Sequence, residues 1–521
     1  SAYFYTHSWS GAGHDARLVF VKDGNEKSTV AIPYGKGDSN YATFETPLPD
    51  GRFTQSNLTL NRFFVNNSAA STGVYNGPTQ LTKNSAGSYT GITNFDPDYE
   101  LANYTSSTIN TGWLPANTKL ATLSDTDTTN AASTDLLGGI GNFTDANAWT
   151  VPSGWSLSSN IATGSAVTAY LLPASNGILT TGKQYAVTVT QSSYTSGTVY
   201  LYMGTGAPNG YYYASLPSTA GTYTFTLTAY NSNFGIYGAN YTGVIDNVTV
   251  SLAESDHSVN ANGLQTFGTV TKTAVATGAD LVGYTPSGTS YLRQPSAGGL
   301  TLTSDFSITW WQKYDGSGGT YDGWQIVEDD TSSASAYNKV VLSAMHEISS
   351  SQYLIRGASI TASGVANGIA SGAWTCMTIT KTGGKINLYT NGKLSSTTAG
   401  TCATPSNPYS LEILKWNYAN SAYYSNNSAM ALFRTSNTIP TAEQIAKMYR
   451  DEKYLFATNA KATLYGNSDS VTALAYDDDT ELLHVGTSAG RSEFQGLNRV
   501  NNTTDAVGTA ISASNGFIVE D

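Results

Sequence analysis

The chain has 521 residues, 40% of them hydrophobic and 12% charged, with a formal net charge of −12 and a pI near 4.8. That length exceeds what one core serves, so several domains are expected. The 35 tyrosines set it apart from disordered chains, and an acidic balance with no basic patch excludes nucleic acid and anionic lipid as partners. Gly, Ser, Thr, Asn and Tyr dominate, a mix that suits short strands and many turns, so the fold class read here is all-β and multi-domain. No apolar run is long enough to span a bilayer, and no membrane insertion is expected.

Residues 1–136 read as a β-rich N-terminal region. Arg17–Gly35 gives two strands around a KDGNEKS turn, and Asn57–Asn67 another strand. Asp125–Asp135 has no hydrophobic pattern and reads as a linker. Residues 137–254 form a second unit. Its strands, among them Gln184–Tyr194, Gly197–Gly206 and Gly221–Asn231, recur roughly every 15–25 residues with Gly-rich turns, which predicts a jelly roll or similar sandwich. In this unit Tyr200 and Tyr202 alternate with Val199, Leu201 and Met203. Two rings on one strand face stand about 7 Å apart and can stack on the C–H faces of sugars. Tyr211, Tyr212 and Tyr213 follow and can wall the same site; packing against a neighbouring domain or subunit is the alternative. Asp246 shares its parity with Val244, Val248 and Val250. If those valines face the core, the carboxylate turns inward and needs a cation or donors.

The 137–254 unit carries N-F-x-x-x-x-x-W and GW near its start, GKQYAVTV in its middle and GVIDNVTV at its end. This order resembles carbohydrate-binding jelly-roll modules over the whole unit. The resemblance implies a glycan ligand and a structural Ca2+ held by Asp246, Asn142 and backbone oxygens. An Asp246 hydrogen-bonded to a turn near the start of the unit is the alternative.

Residues 255–457 read as a sandwich that closes with one helix. Asn262–Tyr284 and Ser290–Leu300 supply its first strands, and Phe306, Ile308 and Trp310 alternate in the next. Gly383-Gly384 and Asn391-Gly392 are hairpin turns in Trp374–Leu394. Thr441 with Gln444 fits a capping box, and Ile445, Met448 and Tyr449 fall on one helical face. The W-bearing strand, Y-x-N-G-K, L-x-I-L and T-x-x-Q-I-x-x-M-Y together resemble the laminin-G-like family, which implies a concanavalin-type β-sandwich. Trp310 and Trp374 are assigned to the core. Trp324 and Trp416, with Tyr418, Tyr423 and Tyr424, cluster near loops, and the two tryptophans are taken as ligand-contact candidates. Glu328–Asp330 is either a calcium rim or a solvated acidic turn. Cys376 and Cys402 are either a disulfide or two buried thiols.

Residues 458–521 contain strand, acidic turn, strand, Gly-containing turn and strand over Ser470–Leu497, which resembles one propeller blade. A lone blade must pack on something: the N-terminal region, as a split propeller, or another subunit. A homo-oligomer is therefore expected, a trimer first. Catalytic patterns are missing from the sequence. No closely spaced carboxylate set, no metal spacing among His7, His14, His257, His346 and His484, and no G-x-S-x-G elbow is present, so the chain reads as non-enzymatic. The N-x-S/T sequons follow from a composition this rich in Asn, Ser and Thr. The series jelly roll, connecting strands and laminin-G-like sandwich resembles phage tail and adhesion proteins. It implies a virion or extracellular location, host-surface glycans and other virion proteins as partners, and release by lysis or after loss of a leader. A structural virion or appendage component and a secreted glycan-active protein are the alternatives.

Overall fold

A computed structural model describes residues 101–507, apart from 116, 205–212, 259, 296–298, 316–320, 329–339, 348–351, 358–359, 367–369, 403–408, 419–420, 427, 469–470, 478–479 and 481, together with seven strands nearer the ends. The secondary structure of the described residues is mostly antiparallel sheet, with one α-helix, in agreement with the all-β expectation.

The largest unit is a two-layer sandwich. One sheet runs in the order Gln265–Phe267, Tyr291–Pro295, Tyr409–Ile413, Tyr321–Glu328, Val340–Glu347, Gln352–Gly357 and Ile360–Ala366. The facing sheet is built around Trp374–Thr382, Phe306–Tyr314 and Ser428–Ser436. Their inner faces meet at Trp310, Trp324, Tyr353, Ile379 and Phe433, all fully buried. The turns follow the sequence reading: Gly383, Asn391 and Gly392 hold φ of 53°, 49° and 76°, the positive values that tight hairpins need. The helix Ala442–Glu452 begins with the expected capping box, in which Thr441 Oγ1 accepts from Gln444 N while Gln444 Oε1 accepts from Thr441 N.

The stretch read as a linker is part of this sandwich. Within Asp125–Asp135, Ala131–Ala132 pairs with Thr269–Ala274, and just before it Thr118–Thr122 pairs with Ser428–Ser436. Asp125 lies 2.7 Å from Lys272 Nζ, and Lys272 also reaches Glu254 at 3.4 Å. The Tyr284 hydroxyl donates to Glu254 at 2.6 Å. Burial works to lower the Lys272 pKa, but Glu254 and Asp125 outweigh it and hold the ammonium above its ordinary value. Next to this group, buried Asp256 accepts from the N–H groups of Ala121, Ser258 and Asn262. Gln184 clasps the Asp256 backbone in both directions. These contacts tie the 137–254 unit to the sandwich through buried polar groups.

The four-stranded meander Val471–Asp477, Leu482–Thr487, Gly490–Gln495 and Asn498–Thr503 matches the blade reading. Its buried residues Leu483, Val485, Phe494 and Leu497 join Leu101, Trp113, Met448 and Leu455 in one core. The apolar face of the blade therefore packs inside the chain, on Leu101 and Trp113, on the helix and on sandwich residues such as Trp311 and Leu432. At the base of this core Arg434 and Glu452 form a buried ion pair, 3.0 Å between Nη2 and Oε2. Glu452 also accepts from Trp311 Nε1 and Trp113 N. Both cysteines are free and buried, in separate cores. Burial pushes the Cys402 thiol up to about 11.

Two stability outcomes follow. Arg434→Met leaves the Glu452 carboxylate buried without its cation, and chemical denaturation should show a loss of about 3–5 kcal/mol; a loss under about 1 kcal/mol would contradict the pair's role. His257 is buried beside Asp125 and Lys272, with Nε2 3.0 Å from the Ser124 carbonyl, and burial drives its pKa down to about 4. An unfolded imidazole takes its proton near pH 6.5 while the folded one refuses it until about 4, so stability falls as pH drops through that window. The loss amounts to about 3 kcal/mol, and His257→Gln should flatten that part of the pH–stability curve.

Candidate functional site

The 137–254 unit is a strongly bent sheet wrapped around one apolar core that runs from Leu137 to Val250. Its spine is the antiparallel ladder between Gln184–Met203 and Phe234–Leu252. On the far edge, Tyr170–Pro173 pairs with the start of the second strand and Ile161–Val167 with its middle. Tyr213–Ser215 pairs with the end of the first.

Val199, Leu201 and Met203 are buried, and Tyr200 and Tyr202 emerge half-buried on the opposite face, as the alternation predicts. Two further tyrosines join them. Tyr237 stands directly opposite Tyr200, and Tyr170 directly opposite Tyr237. The three make a row across three strands, with ring centroids 4.6 Å apart for Tyr170–Tyr237 and 6.4 Å for Tyr237–Tyr200. Successive rings tilt by 44° and 33°, so the row is a gently faceted floor. Tyr202 stands edge-on to it, at 86° to Tyr237 and 72° to Tyr170. The residue opposite Tyr202 on the second strand is Gly235, whose lack of a side chain leaves room there for the Tyr202 ring. Floor and wall together form a corner of four half-exposed aromatic rings. Tyr213 lies in register with Tyr202 on the next strand, while Tyr211 and Tyr212 fall outside the described residues.

The chemistry available at this corner is apolar and hydroxylic. Phenol rings offer π faces to C–H bonds and oxygens for hydrogen bonds. Outer-face positions beside the row, Thr198, Ser215 and Ala239, are small and uncharged. From Ala146 to Ile245 the single charged residue is Lys183. That nearly charge-free run was a sequence signal for the site, and so were the tyrosines of AYLLP and GIYG.

The other predicted site residues lie elsewhere. Asp246 is exposed, not turned inward. Thr190 pairs with Asn247 and Gln191 with Ile245, so Asp246 is the extra residue of a β-bulge. Ile245 and Val248 both face the core across that bulge, and the parity that linked Asp246 to Val248 and Val250 is broken. Asn142 is also exposed, and its Oδ1 accepts from Thr144 N and Thr144 Oγ1. The two do not make the inward oxygen cage that a structural calcium requires. The carboxylate that secures the start of this unit is Asp135, which accepts from Val250 N and Leu137 N. Among the described residues no three His, Cys, Asp or Glu side chains gather as a metal set.

Trp324 and Trp416 are core residues, at 0% and 1% exposure. Trp324 packs edge-on to Trp310 and Phe433 between the sheets. Trp416 belongs to the hairpin Lys415–Tyr418 and Ser421–Tyr424, which folds back over the outer face of the seven-stranded sheet. There it covers Met345 and Leu354, and its Nε1 lies 3.2 Å from Ser343 Oγ. In the Glu328–Asp330 run, only Glu328 is among the described residues.

No family model matches the chain, and no curated protein matches it. Among solved structures, the botulinum neurotoxin serotype D binding domain is 12% identical, with 47% of this chain and 60% of that one covered and a TM-score of 0.28. The chain thus spans about 60% of that domain's length. Domain 4 of an extracellular arabinanase from Geobacillus stearothermophilus, solved with arabinotriose, is 15% identical, with 37% and 92% covered and a TM-score of 0.27. Trypanosoma rangeli sialidase is 9% identical, with 45% and 43% covered and a TM-score of 0.28.

Replacing Trp324 by Ala should destabilise the sandwich by about 3–5 kcal/mol in a denaturation series. Ligand binding by the folded fraction should be unchanged; a specific loss of binding would restore Trp324 as a contact residue.

Proposed function

We propose that this protein is an extracellular adhesin, a phage tail fibre or related virion component, that holds host-surface glycans on the tyrosine corner of its jelly-roll unit. The observation that carries the glycan reading is the registered row Tyr170–Tyr237–Tyr200 with Tyr202 upright beside it on a half-exposed face. The order of modules supports the virion setting. Several of the carboxylates with raised pKa sit inside the fold: Glu254, Asp256 and Asp322 are buried, and Asp322 reaches about 6 through burial. None of the three lies at the tyrosine corner.

The test is a glycan array and a host-cell binding assay with the full chain and a Tyr200→Ala/Tyr202→Ala variant. Each aromatic contact is worth about 0.5–1.5 kcal/mol, so the double change should weaken binding about tenfold or more with the melting curve retained. A Tyr200→Phe/Tyr202→Phe variant keeps the stacking faces and should keep most of the binding. Unaltered binding by the alanine variant would overturn the reading. A chain that binds no glycan, with this face covered by a second protein in the assembled particle, would give the structural role instead.

A further inference from the structure

We infer that the ligand of the tyrosine corner is electrically neutral and is taken one sugar face at a time, as a single soluble chain or a chain end. It is not an acidic glycan and not a flat crystalline polysaccharide. This rests on the glycan reading above and narrows it.

The first support is charge. Carboxylates, sulfates and phosphates on glycans are held by Arg and Lys through charge-assisted hydrogen bonds. Between Asp145 and Asp246 the chain offers one cation, Lys183, and no anion. Thr205–Tyr212, which joins the tyrosine strand to its neighbour in sequence, is also free of charge. Lys183 is exposed, and it is not remote from the corner by backbone. Its carbonyl accepts from Ala229 N, and the Met203 carbonyl, next to Tyr202, accepts from the adjoining Tyr230 N. Lys183 is thus the one cation that this segment offers an acidic glycan, which makes it the natural control.

The second support is ring orientation. A crystalline polysaccharide presents one extended plane and needs aromatic rings that share it. Here the floor turns by 44° and then 33° between neighbours, and Tyr202 stands at 64° to Tyr200 on the same strand. No plane touches all four rings face-on. A single sugar ring, by contrast, can lie on one floor tyrosine with the Tyr202 edge at its side.

The experiment measures binding of the full chain to three probe sets: neutral soluble oligosaccharides, sialylated and uronate-bearing oligosaccharides, and microcrystalline cellulose. It is run at about 50 mM and about 500 mM NaCl, since screening weakens exposed ionic contacts over this range. The expected result is binding to members of the neutral set, a change under about twofold with salt, and no effect of Lys183→Gln. Binding confined to the acidic set, weakened by salt and by Lys183→Gln, would overturn the inference. If Tyr200→Ala/Tyr202→Ala still abolished that binding, the corner would remain the glycan site and only its neutrality would fall. Retention on cellulose with none on the soluble set would overturn the single-chain half. Binding to none of the three would remove the inference together with the glycan reading.

Discussion

The antiparallel ladder between Gln184–Met203 and Phe234–Leu252 is the constraint on which the rest of the 137–254 unit depends. Both strands must face one core at each end, yet they are too long to do so without bending. The bends are placed at bulges. Buried positions on the second strand run Phe234, Ile236, then Tyr241, Ile245, then Val248, Val250, so the parity switches twice. One switch is at Asn240, exposed with φ of 52°, and the other at Asp246–Asn247. Gly197 lies against the Asn240 carbonyl with φ of 77°, and a Cβ there would collide with it. Past these bends the strands regain a plain alternation, and that alternation brings Tyr200 and Tyr237 side by side on the outside.

The same ladder ties the unit to its support. Gln184, at its first residue, clasps the backbone of Asp256, and Glu254, just beyond its last, enters the Lys272–Asp125–Tyr284 group. Buried polar groups that are fully paired fix geometry more than they add stability. Here they set the orientation of the jelly roll on the sandwich. The sandwich and blade share a further core around Trp113, Met448 and Phe494, sealed by Arg434 and Glu452. The hairpin carrying Trp416 closes over the outer face of the seven-stranded sheet. Charged residues concentrate outside the 146–245 stretch, so a largely uncharged unit is carried by an acidic chain.

Local features were legible in the sequence, and features made by non-local pairing were not. The capping box at Thr441 and the turn at Asn391-Gly392 depend on residues within four positions of each other, and both formed as read. Tyr200 and Tyr202 were readable because their strand alternates regularly there. Tyr170 and Tyr237 come from strands 30 residues before and 37 residues after Tyr200, and cross-strand register is not written in either segment alone. Asp246 was misplaced because one bulge residue inverts a parity argument. Trp416 was misplaced because the return of its hairpin over a distant sheet leaves no local mark. Asp125–Asp135 looked like a linker for lack of hydrophobic residues, but its carboxylates are the partners that Lys272 and the Val250 amide require.

The most direct measurement is a crystal structure of the full chain with a glycan selected on the array. The account predicts a sugar ring seated face-on over one of Tyr170, Tyr237 or Tyr200, with the Tyr202 edge beside it and no cation at its substituents. A sugar bound elsewhere on the chain, or a second copy of the chain packed over the four rings, would contradict it.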